Sequence, residues 1–265
     1  MLSLNSLFKK SPTRLIWHSL SENPSAMQYL NLNFDKIDWT FLSKNPSAMH
    51  LLEANPDKID WDCLSENPSA IKLLMANPTK INWMRLSANP SAMRLLEANP
   101  DKIEWYCLSE NPSAIHLLEA NPDKIKWNCL SSNPSAMKLL EANQHKIDWM
   151  YLSTNSNAMH LLEANQAYIH WPLLSRNPNA IDLLEANQHR IDWMYLSINS
   201  NAMHLLEANP KKINWYCLSK NPSIFTYDYK AMRTDMWKEN GLANQLMEYI
   251  YHPRNMHKWE TEEEF

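Results

Sequence analysis

The sequence predicts an all-α fold, an α-solenoid of about ten 22-residue units with terminal caps, each unit one helix plus a shorter helix or helical turn. Three observations predict it. All twelve tryptophans, from Trp17 to Trp259, stand 22 residues apart without exception, and a fixed period of this length marks units that pack only on their neighbours. Asn-Pro steps divide most periods twice, as helix starts do. Glycine occurs once, at Gly241, and valine never, whereas glycine turns and β-branched runs mark most all-β repeats.

Residues 1–16 carry Lys9, Lys10 and Arg14 after their apolar residues rather than before them, which reads as an N-terminal cap and not a signal peptide. Residues 17–222 are the repeat solenoid. The stretch from Asn67 to Glu97, NPSAIKLLMANPTKINWMRLSANPSAMRLLE, shows its plan. Proline at the first helical position loses no hydrogen bond, and asparagine before it is among the best caps. Proline gives way at Ser156, Ser200, Gln144, Gln166 and Gln188, but Asn155, Asn199, Asn143, Asn165 and Asn187 all persist. The cap is therefore kept more strictly than the proline. Helices are expected over 68–76 and 81–87, burying Ala70, Ile71, Leu73 and Leu74 against Ile81, Trp83 and Leu86. Trp39, Trp61, Trp83, Trp105, Trp127, Trp149, Trp171, Trp193 and Trp215 are expected to form the structural core, piled as one interior spine along a rod of about 100 Å. Residues 223–265 hold Trp237 and Trp259 in register but lose the consensus, and read as a degenerate repeat and C-terminal cap.

Surface positions recur as rows. Glutamate returns at Glu53, Glu97, Glu119, Glu141, Glu163, Glu185 and Glu207, and a basic residue at Lys36, Lys58, Lys80, Lys102, Lys124, Lys146, Arg190 and Lys212. These ladders read as solvated and cross-paired between repeats. A third row varies: Gln28, His50, Lys72, Arg94, His116, Lys138, His160, Asp182 and His204. Together with the residues that follow each tryptophan, such as Thr40, Asp62, Met84, Tyr106 and Asn128, it is where partner choice is expected to reside.

Several function classes are excluded on the same residues. The 25 basic and 29 acidic residues give a net charge of -4, without the positive excess of a phosphate-backbone binder. No stretch approaches the roughly 18 apolar residues that cross a bilayer. The row histidines are separated by whole repeats and do not converge as metal ligands. Cys107 or Cys129 beside His116 suggests a nucleophile and base, but each is a recurring repeat position and an active site is normally unique. One glycine leaves no phosphate loop, and no cofactor is expected. Cys63, Cys107, Cys129 and Cys217 share one structural position, so they read as unbridged fillers in a reducing compartment. Proline blocks Asn-x-Ser glycosylation at Pro24, Pro46, Pro68, Pro90, Pro112 and Pro134. Residues 143–165 and 187–209 differ only at Lys146/Arg190 and Thr154/Ile198, a recent copy of a two-repeat block that suggests adjustable copy number.

The units at 51–61 and 64–71, with the ending LMEYIYHPRNMHKW at 246–259, resemble the 22-residue Asn-Pro/Trp repeat proteins encoded by giant viruses of amoebae. The resemblance implies a viral protein made in the host cytoplasm, and that family has no established activity to carry over. The reading is a scaffold without catalytic activity that presents an extended surface to a protein partner. Its alternative is a self-assembling structural component of a virion or virus factory.

Overall fold

A computed structural model describes residues 2–4 and 14–227. The chain divides into two compact units, Leu7–Ile224 and a smaller one made of Met1–Ser6 with Phe225–Phe265. In the smaller unit Leu2–Leu4 pairs antiparallel with Phe225–Tyr227, with Leu2 opposite Tyr227. Of the two expected caps, residues 5–13 and 228–265 lie outside the described residues.

The larger unit is the expected helical repeat, and ten copies, one to ten in chain order, begin at Trp17 through Trp215. In copy three the helix Trp61–Glu66 is followed by a turn, the helix Ile71–Ala76 and the 3-10 turn Pro78–Lys80. Both α-helices start later than the proline signal suggests. Helix Ile71–Ala76 begins three residues after Pro68, because Asn67 closes a local turn instead: its Oδ1 accepts from the Ser69 N–H at 2.9 Å. The second asparagine, Asn77, caps backwards and donates to the Leu73 carbonyl at 2.9 Å. The cap of the tryptophan helix is the residue directly before the indole, as where Asp60 accepts from the Cys63 N–H at 2.8 Å.

What joins the copies is polar. The Asn67 amide nitrogen donates to two carbonyls of the preceding copy, Ser43 and Asn45, each at 3.0 Å. Ser43 Oγ donates to the Trp39 carbonyl at 2.8 Å and accepts the Asp60 N–H at 3.1 Å. Asn67 and Ser43 are fully buried. The same set recurs down the chain, for example from Asn111 to Ser87 and Asn89 and from Asn199 to Ser175 and Asn177. Each amide thus places both donors and one acceptor lone pair, which is what makes its burial tolerable.

The ladder also closes on itself. Asn23 in copy one donates to Ser219 and Asn221 of copy ten at 3.1 and 3.0 Å, and the Ile16 N–H donates to Ser219 Oγ at 2.9 Å. These are the bonds that every interior pair of copies makes. Arg14, one period before Lys36, covers the Trp215 ring at 5.4 Å, and Lys220 pairs with Glu22 at 2.8 Å. The repeat unit is a ring of ten copies, not the expected rod, each turning about 36° relative to the last. A rod would leave one open face at each end. Here those two faces bury one another, leaving Ser19, Ser21, Asn23, Ser219 and Asn221 at 0–1% exposure.

The tryptophans also need correction as an interior spine. From Trp17 to Trp215 they are partly exposed, and the fully buried side chains are leucines: Leu20, Leu42, Leu64, Leu86, Leu108 and Leu130 from the tryptophan helices, with Leu30, Leu52, Leu74, Leu96 and Leu118 facing them. Each indole begins its helix at the edge of this layer, so one face stays uncovered by it. The basic ladder fills it: Lys36, Lys58, Lys102, Lys124, Lys146, Arg190 and Lys212 stand 4.4–4.8 Å from the ring centres of Trp17, Trp39, Trp83, Trp105, Trp127, Trp171 and Trp193. Where the basic residue is missing, Tyr168 stacks on Trp149 at 5.1 Å. The row expected to pair with glutamates pairs with indoles instead.

Replacing Asn111 by alanine leaves two buried carbonyls without donors and is expected to lower unfolding free energy by about 3 kcal/mol. Closure adds a sharper expectation: Asn23→Ala, at the seam, lowers it by the same amount within about 1 kcal/mol. Denaturant titration of both variants checks this, since an open solenoid would lose far less at its terminal copy.

Candidate functional site

Two exposed surfaces remain once the core and the ladder are accounted for. The nine residues of the variable row, Gln28, His50, Lys72, Arg94, His116, Lys138, His160, Asp182 and His204, are all exposed, as expected, on the helices that begin at Met27, Met49, Ile71 and their counterparts. His116, His160 and His204 reach back to the preceding copy's Glu97, Glu141 and Glu185 at 2.8, 2.9 and 2.6 Å. These pairs are solvated, and such contacts contribute little to stability. Asp182 has no such geometry, because its neighbour at the same offset is Glu163.

The second surface is concave. From copy ten through copy one to copy seven, successive tryptophan helices pack closely while the other helices stand farther apart, so the tryptophan helices form the inner layer of the ring. Contacts that skip a copy confirm the curvature. Lys220 of copy ten lies 5.5 Å from the Phe41 ring of copy two, passing over copy one. His18 sits between Phe41 and Tyr216, at 5.1 and 5.2 Å. Ten helices packed about 8–10 Å apart enclose an opening of about 15–20 Å, wide enough to admit a single α-helix.

Three positions of each inner helix line this opening: the first, second and fifth residues after tryptophan. The first is mostly exposed and holds His18, Thr40, Asp62, Met84, Tyr106, Asn128, Met150, Pro172, Met194 and Tyr216. The residues expected to share in partner choice therefore point into the lumen, opposite to the variable row. Sequence reasoning missed that these are two separate surfaces, and it missed the fifth-position row, Glu22, Lys44, Glu66, Glu110, Arg176 and Lys220. The signal was present as variation: the third and fourth positions are leucine and serine in every copy, while the first, second and fifth vary among several residue types.

Charge in the lumen is unevenly matched. Around copies ten to four, Lys220 meets Glu22, Glu66 meets both Lys44 at 3.4 Å and Arg85 at 3.1 Å, and Asp62 accepts from Asn82 at 2.9 Å. Across copies five to eight the wall recedes into a cavity of about 440 Å³ lined by Glu110, Ser132, Tyr151, Thr154, Leu173, Arg176 and Pro178.

The cysteines sit at the second lumen position. All four are free; Cys63 and Cys129 are buried, Cys107 and Cys217 partly so. Burial pushes Cys63 up to about 11, with Asp60 adding to the effect, and Cys129 likewise to about 11. Burial raises Cys107 and Cys217 as well. Tyr106 is held up to about 12 by its hydrogen bond with the Cys129 thiol. His116 pairs with Glu97 on the outer helices, so the structure does not bring it to Cys107 or Cys129. Among the described residues, no three histidine, cysteine, aspartate or glutamate side chains converge as a metal site, and no helix is long and apolar enough to cross a membrane.

A raised thiol pKa keeps the reactive thiolate scarce until pH rises toward that value. At pH 8 iodoacetamide is expected to alkylate Cys63 and Cys129 about a hundredfold more slowly in the folded protein than in denaturant, with the gap narrowing toward pH 11. Mass spectrometry of the labelled peptides measures it; equal rates at pH 8 would place these thiols in an ordinary aqueous setting.

Compared with protein-family models, curated proteins and solved structures, the chain matches none of them.

Proposed function

We propose that this protein is a non-catalytic binding ring that captures a protein partner, reading it with the lumen and with the variable row on its outer helices. One observation carries the reading. Copies that agree at the buried leucine, serine and asparagine positions diverge at the lumen positions and in the variable row, so the scaffold is uniform and the chemistry presented on these two surfaces is individual. Recognition surfaces have that form, with function grafted onto a regular support.

The lumen carries most of the proposed specificity. Met84, Met150 and Met194 alternate there with Tyr106, Tyr151, Tyr195 and Tyr216. Methionine adapts its shape to a partner, and tyrosine combines a large apolar face with a polar tip. The outer row offers single charged or imidazole groups on long stems, suited to orienting an approach. The resemblance to repeat proteins of giant viruses supports a host-cytoplasmic setting for this capture. The alternative of end-to-end assembly receives less support, because closure uses both end faces of the repeat array.

Affinity capture from cells that make the protein, followed by mass spectrometry, tests the reading. Replacing Tyr106, Met150 and Met194 together by alanine is expected to abolish capture of the specific partner. Replacing His116, Lys138 and His160 is expected to weaken it several-fold at low salt, with both melting curves within error of the native one. Unchanged capture by the lumen variant would overturn the assignment of specificity. Concentration-dependent oligomers in light scattering, with no partner captured, would favour self-assembly instead.

A further inference from the structure

We propose that the cavity across copies five to eight binds a short peptide as a zwitterion, its free amino end at Glu110, its free carboxylate at Arg176, and an apolar side chain against Tyr151 and Leu173. This site does not rest on the protein-capture reading, because a free peptide of this kind needs no protein partner.

The first support is a contrast within one surface. The other charged side chains at the fifth lumen position, Glu22, Lys44, Glu66 and Lys220, are neutralised by ion pairs at 2.8–3.4 Å. Among the described residues Glu110 meets the Cys129 thiol, and none of the ion pairs involves Glu110 or Arg176. The two charges of this fifth-position row left without ionic partners are of opposite sign and border the same recess. A ligand with one ammonium and one carboxylate satisfies both, and guanidinium receives a carboxylate through two parallel hydrogen bonds.

The second support is the lining between them. Ser132 Oγ and Thr154 Oγ1 donate to the carbonyls of Cys129 and Tyr151, each at 2.8 Å. Their donors are spent, so what they turn to the cavity is acceptor lone pairs, which suit peptide N–H groups. Leu173, Pro178 and the Tyr151 ring supply the apolar wall. The volume of about 440 Å³ falls within the range of small-molecule sites. A cavity reaching from copy five to copy eight is longer than a single amino acid, whereas an extended tripeptide spans about 10 Å.

Calorimetric titration of the full chain with the tripeptide Ala-Leu-Ala, its N-acetylated form and its C-amidated form tests the proposal. The free tripeptide is expected to bind saturably, with a Kd of about 0.1 mM for a ligand of its size. Acetylation or amidation is expected to weaken binding at least about tenfold, the scale of losing one charge-assisted hydrogen-bonded pair. With Glu110→Gln the acetylated and free peptides should bind alike, and with Arg176→Gln the amidated and free peptides should. Both side chains are exposed, and a melting curve confirms that each variant is folded. Three results would overturn the proposal: no saturable binding of the free tripeptide at millimolar concentration, blocked peptides that bind the native chain as well as the free one, or folded variants that still discriminate against blocked peptides.

Discussion

A carboxamide sealed between neighbouring copies is the interaction on which the rest of this structure depends. Burying an amide without partners costs several kcal/mol; here Asn67 and its counterparts place both donors on the preceding copy and one lone pair on their own turn. Hydrophobic contact alone would let adjacent copies slide or rotate, since leucine packs against leucine in many registers. The amide accepts one register only. Paired with the serine that links a tryptophan carbonyl to the next backbone N–H, it sets the angle between copies, and a constant angle repeated ten times brings the last copy round to the first.

Much of this was legible in the residues. The period, the helical class and the unit size follow directly from the tryptophans and the Asn-Pro steps. Persistence of Asn155 and Asn199 where proline is lost marked asparagine as the more constrained partner, and a local cap explains part of that. A local cap does not require full burial, however, and the bonds to the preceding copy lie 22 and 24 residues away, where no helix-start rule looks. The indoles misled for a related reason. Large apolar side chains at a fixed period usually mean core, but Trp105 and Trp127 stand at the border of the leucine layer, where a lysine from the 3-10 turn that ends the same copy completes their surroundings. Curvature was not legible at all, because it is the sum of small angles that no single unit encodes visibly.

The ring divides its chemistry by radius. The variable row on the outer helices keeps hydrophilic groups, cationic, anionic, amide or imidazole, whereas the lumen mixes tyrosine, methionine, thiols and both charges within reach of one another. Concavity is what makes the difference useful: side chains from copies ten and two meet over copy one, so neighbours in space are not neighbours in sequence. A convex surface built from the same residues would hold them apart. The recess from Glu110 to Arg176 exists because four copies lean toward a common centre.

Closure also turns arithmetic into a constraint on descent. The near-identical stretches at 143–165 and 187–209 are the mark of duplication within the array, and an open array would tolerate such slippage freely. A circle does not. Eight copies would need about 45° per joint and twelve about 30°, in place of about 36°, and the amide ladder that sets the angle is the same at every joint. Duplication or loss of a block therefore has to be matched elsewhere before the next circle can form, and the present number is held by geometry rather than by chance.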